Sequence, residues 1–120
     1  MGKVLATAIL ISAALAAARA DGPLTVTDPG LVKKLSALQN SIDKISHAVT
    51  NCVEAGRPHP ECMCQSDSAI EAFRTQFEAV TTSHPELLEV GAVNFRRADG
   101  MSIAQNFKGI KKQLAHRPAC

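Results

Sequence analysis

Apolar side chains recur at Leu31, Leu35, Leu38, Ile42, Ile45, Val49 and Cys52, in steps of four, three, four, three, four and three. That spacing keeps every member on one stripe of an α-helix, so it predicts an amphipathic helix beginning at Asp28-Pro29. Asp28 can accept from free N–H groups of the first turn, and Pro29 suits the first helical position, where an N–H has no partner anyway. Gly56 permits a left-handed cap and Pro58 lacks a donor, so the helix stops there. The same heptad spacing serves either a coiled-coil dimer or an intramolecular helical hairpin. A second amphipathic stretch follows directly, which favours the hairpin and a monomer.

Residues 57–66, with two prolines and two cysteines, read as the connection. The second helix is expected from about Asp67 to Ser83. Ile70, Phe73, Phe77 and Val80 form its buried stripe, and Ser68 and Glu71 stand at capping-box spacing. Pro85 interrupts it just after His84. Leu88, Ala92 and Phe95 could then mark a third helix, but Ala98-Asp99-Gly100 is a strong turn signal.

With a three-residue loop and Gly100 left-handed, Arg97 faces Met101 and Phe95 faces Ile103. Val93, Phe95, Met101 and Ile103 then share one face of a β-hairpin. A two-residue loop would put Phe95 and Ile103 on opposite faces. A last helix over about Asn106 to His116 turns Phe107, Ile110 and Leu114 inward and Lys108, Lys111 and Lys112 outward. Ahead of all these, Leu24 and Val26 alternate as a short edge strand would. The expected class is therefore mainly α with minor β: an antiparallel helical hairpin, a short β-hairpin and a C-terminal amphipathic helix.

The N-terminal stretch follows a different pattern. Lys3 precedes an uncharged, mostly apolar run from Val4 to Ala18, and Ala18-Arg19-Ala20 places small residues where a signal peptidase reads. The 15-residue run is shorter than the roughly 18–20 residues of a spanning helix. Residues 1–20 are thus expected to be a cleaved export signal and 21–120 a single small domain, secreted or periplasmic, with no transmembrane segment after cleavage.

Lys3 and Arg19 leave with the signal, so the remaining bases and acids balance at 11 each. Glu54 to Glu89 holds seven acids against two bases, whereas Arg96 to Arg117 holds six bases against one acid. Runs of this kind usually pair with each other or face solvent. The sharper alternative is a basic partner surface at Lys108, Lys111 and Lys112 for another protein or an envelope surface. Nucleic acid is disfavoured, because an exported chain of balanced charge with four Phe and no Trp or Tyr lacks both the field and the stacking groups.

The four cysteines, Cys52, Cys62, Cys64 and Cys120, change the picture most. An even number in a small exported chain points first to structural disulfides. A bond between Cys62 and Cys64 would close a very tight ring. Each should therefore pair outward, as Cys52–Cys62 with Cys64–Cys120 or as Cys52–Cys64 with Cys62–Cys120. The alternative keeps the thiols and uses His59, Cys62, Met63 and Cys64 as soft ligands for Cu(I) or zinc, or the Cys-x-Cys pair in thiol redox chemistry.

Asp99-Gly100-x-Ser102, the run from Asn106-Phe107 through Gln113-Leu114 to Cys120, and the Cys62-x-Cys64 pair resemble small exported bacterial proteins of uncharacterised activity. The resemblance covers the last third of the chain and implies no activity. No nucleophile elbow, P-loop, zincin or dinucleotide motif occurs. The chain is therefore expected to be a non-enzymatic binding or structural protein without a cofactor. The alternatives are a periplasmic metal-handling or thiol-redox protein and an enzyme inhibitor. N-terminal sequencing of the exported protein is expected to start at Asp21; export with Met1–Ala20 attached would refute the cleaved signal.

Overall fold

The structure is a computed structural model that describes residues 22–120; the expected signal, residues 1–20, lies outside them. Strand β1 (Pro23–Thr25) leads into helix α1 (Pro29–Glu54). The short helix α2 (His59–Gln65) and helix α3 (Asp67–Ser83) follow, then a 3-10 helix at Pro85–Leu88. Strands β2 (Ala92–Arg96) and β3 (Ser102–Gln105) precede helix α4 (Phe107–Ala115). The mainly-α class with a stapled helical hairpin, a β-hairpin and a final helix is what the structure has.

Both ends of α1 follow from their local chemistry. Asp28 Oδ2 accepts from Leu31 N at 2.9 Å, and Pro29 opens the first turn. At the other end Gly56 takes φ +93°, a conformation that costs a side-chain-bearing residue energy. Its N–H donates to Val53 O at 2.9 Å and that of Arg57 to Cys52 O at 3.4 Å, the paired bonds of a Schellman cap.

The three-residue loop register is also present. Phe95 pairs with Ile103, Arg97 N donates to Met101 O at 2.9 Å, and Gly100 sits at φ +87°. This is a type I turn closed by a glycine bulge. Strand β1 adds to the hairpin as an edge, running parallel to β2 with Leu24 opposite Val93. Parallel pairing is possible because the whole helical hairpin serves as the crossover between them.

Two expectations need correction. The 57–66 connection is not irregular, because His59–Gln65 is helical, with Pro60 in its first turn, where a missing N–H is tolerated. The capping box at Ser68 and Glu71 does not form: Ser66 is the N-cap of α3, and Ser68 already lies inside the helix. Met101 keeps the face of Phe95 and Ile103, as the register requires, but it lies in the loop just before β3 and is 55 % exposed.

One core joins the sheet to the helices. Val93 and Phe95 from β2 meet Leu31, Leu35 and Leu38 of α1, Phe73, Phe77 and Val80 of α3, and Phe107 of α4. Phe77 is at its centre, 2 % exposed, with ring centroids 5.8 Å from Phe73 and 5.5 Å from Phe107. A polar clasp covers one edge. Gln105 Nε2 donates to Gln39 Oε1 at 2.6 Å, Gln39 donates to Asp43 at 2.9 Å, and Arg97 donates to the other Asp43 oxygen at 2.9 Å. This ties the β-hairpin to α1 while satisfying the buried Gln39 amide.

The core's dependence on Phe77 is measurable by urea unfolding. Phe77→Ala should cost about 3–5 kcal/mol, through lost burial and the cavity left behind, whereas Met101→Ala should leave the midpoint nearly unchanged. Equal effects would refute this placement of the core.

Candidate functional site

The apolar seam of α1 does not end where the core ends. Leu31, Leu35 and Leu38 are buried, but Ile42, Ile45 and Val49 are only half-buried and Val53 is 41 % exposed. These residues form one wall of an open groove of about 690 Å³. Ile70 and Phe73 of α3 and Ile110 and Leu114 of α4 supply the rest of its apolar lining, with Met63 of α2 at one end. Polar residues also line it: Ser46, Thr50 and Glu54 on α1, His59 on α2, and Gln113 and Arg117 toward the C-terminus.

The geometry of α2 sets the disulfide pairing at one end of the groove. Residues two apart on a helix point about 200° from one another, so Cys62 and Cys64 face opposite ways. Cys62 is 1 % exposed and turns toward α1, where it bonds Cys52 with a Cα–Cα distance of 5.6 Å. Cys64 is exposed and bonds Cys120, also at 5.6 Å. Of the two arrangements the spacing allows, the helix thus accommodates Cys52–Cys62 with Cys64–Cys120. All four sulfurs are in disulfides, leaving no thiolate from Cys62 or Cys64 for the soft-ligand set. Its other members, His59 and Met63, line the groove. Among the described residues, no three His, Cys, Asp or Glu side chains gather in metal-binding geometry.

The opposite charge runs meet on this side of the molecule. Arg117 reaches back to α3, donating to Asp67 and lying 3.8 Å from Glu71. Arg74 donates to Leu114 O at 2.9 Å, satisfying a carbonyl in the last turn of α4 and fixing that helix against α3. Arg74 also pairs with Glu71 at 3.2 Å. Together with the Cys64–Cys120 bond, these contacts hold α4 and the tail as the far wall of the groove. Lys108, Lys111 and Lys112 are exposed and do not line it, and none of the ion pairs among the described residues uses them.

The groove is a feature that motif reading passes over, because no part of it is a motif. Its signal is in the sequence all the same. The seam of α1 continues for about three turns beyond the residues that the stripe of α3 can cover. Comparison of the chain with family models, with curated proteins and with solved structures gives no match.

Opening the long disulfide loop isolates the contribution of the tail. Its 56-residue separation gives a loop-closure stabilisation of about 4 kcal/mol as an upper value. The double variant Cys64→Ser/Cys120→Ser should lose most of that in chemical denaturation, keep its helical circular dichroism, and show faster amide hydrogen exchange in the tail after His116. A tail that stays protected would show that Arg117 and its carboxylates suffice without the bond.

Proposed function

We propose that this chain is an exported, non-enzymatic binding domain whose working surface is the groove between α1, α3 and α4. The observation that carries this reading is the uncovered half of the α1 seam. Four large apolar side chains, Ile42, Ile45, Val49 and Val53, lie along a trough that no element among the described residues fills. Exposed apolar surface is costly, and contiguous patches bounded by polar residues are characteristic of binding sites. The two disulfides support the export half of the proposal, since such bonds persist in oxidising compartments. The exposed lysines Lys108, Lys111 and Lys112 fit a role in approach to an acidic partner or envelope surface, with the groove making the specific contact.

The proposal is tested with Nile red, a neutral apolar dye, added to the oxidised protein. Saturable fluorescence enhancement at one dye per chain is expected. Val49→Asp, which puts a charge on the groove wall at a half-buried site, should abolish it and leave the unfolding free energy within about 1 kcal/mol of the parent. Charge reversal of the three lysines should leave dye binding unchanged. No enhancement, or enhancement indifferent to Val49→Asp, would sink the groove as the binding site.

A further inference from the structure

We infer that the groove holds one molecule of a single-chain zwitterionic phospholipid, with its alkyl chain in the trough and its headgroup at the stapled corner. The inference rests on the reading of the groove as the binding site and adds the class of ligand.

Size and length argue first. A volume of about 690 Å³ lies inside the range of roughly 300–1,000 Å³ typical of small-molecule sites. The open stretch of α1 from Ile42 to Val53 is about 17 Å long, a distance an extended fatty chain spans. A second copy of this chain is a poorer occupant. The open stretch amounts to less than two heptads, short of the roughly three to four over which a coiled-coil seam is sustained, and the surface offered is concave.

The second argument is the gradient of polarity along the trough. At one end, Ile42, Phe73 and Ile110 line the groove and also a small enclosed gap in the core, with Leu35 and Phe77 behind them. At the other end stand Glu54, His59 and Arg117. A ligand apolar throughout would desolvate those rim groups without giving them partners, which costs binding energy. An amphiphile leaves them beside its headgroup and in water.

The third argument is that the rim carries both signs. Glu54 takes part in none of the ion pairs among the described residues. Arg117 shares its charge with Asp67 and Glu71 through Nη2, while its Nη1 has no acceptor. A fatty acid would offer Arg117 an anion but bring it toward Glu54. An alkylamine would do the reverse. A headgroup containing both a phosphate and an ammonium matches the pair, the phosphate toward Arg117 and His59 and the ammonium toward Glu54.

The test is calorimetric titration of the oxidised protein with monomeric lauroyl lysophosphatidylcholine, kept below its micelle concentration and compared with dodecanol and laurate. One lysolipid per chain is expected, bound about tenfold or more tightly than the alcohol. Glu54→Gln and Arg117→Gln should each bring the lysolipid toward the affinity of the alcohol without changing the alcohol's own. Because Arg117→Gln also removes contacts to α3, Glu54→Gln carries the test if that variant is unstable. Val49→Trp, which fills the trough away from the rim, should abolish binding of all three. Equal affinity for lysolipid and alcohol, or tighter binding of laurate, overturns the headgroup assignment. Nile red binding without lysolipid binding overturns the ligand class and leaves the groove standing. Failure of both removes the groove as well.

Discussion

The arrangement depends on a single helical turn that must satisfy two covalent bonds in opposite directions. Cys62 and Cys64 are two residues apart on α2, and helical geometry sends one sulfur inward to α1 and the other outward to the tail. Were residues 57–66 irregular, the two pairings left open by the spacing would be geometrically close alternatives. The helix separates them. Pro58 and Pro60 assist, the first as the extended residue before α2 and the second inside its first turn, where the absent donor costs nothing. From this corner the end of α1, the start of α3 and the C-terminal tail all take their positions.

That corner also divides the molecule into two ends held together by different physics. Around Phe77 the helices and sheet interdigitate, and apolar burial is the dominant stabilising term. Around Val49 they do not. There the α1 stripe faces a trough, so burial contributes less, and the walls are positioned by two disulfides, the Arg117–Asp67 pair and the Arg74 contact with Leu114 O. In a domain of about 100 residues, where the core is small, constraining the unfolded chain offsets burial that has not been made.

Most of the fold was legible because its local signals agree with its tertiary needs. Asp28-Pro29 and Gly56 mark the ends of α1, and only one loop length puts Phe95 and Ile103 on the same face. Two features were not legible, for definite reasons. The α2 helix is seven residues long, too short for a periodic pattern to register, and its prolines read as breakers when they are in fact compatible with its first turn. The N-cap of α3 lies two residues before the Ser68 that the capping-box spacing points to, because Ser66 and Ser68 are chemically equivalent candidates and the backbone alone chooses between them. The candidate site was legible only in outline. His59 and Met63 stood out as soft ligands beside cysteines, and the structure places them instead on the margin of an apolar trough.

The heptad seam carried more information than its regularity suggests. An unbroken stripe normally means an unbroken partner. Here α1 has 26 residues and α3 has 17, and α3 is joined to α1 through α2 rather than by a tight turn. Nothing in the fold therefore covers the last three turns or so of the stripe fully, yet Ile42, Ile45, Val49 and Val53 are as apolar as the residues that build the core. Ile42 and Ile45 also pack on the edge of the core, but if Val49 and Val53 served only this chain's own folding, polar residues there would improve solvation without touching Phe77 or its neighbours. A stripe that stays apolar past the point where the fold requires it is best accounted for by an occupant from outside the chain. On the proposed reading, the two disulfides, which join α2 to α1 and to the tail, would keep both walls in place in the absence of that occupant.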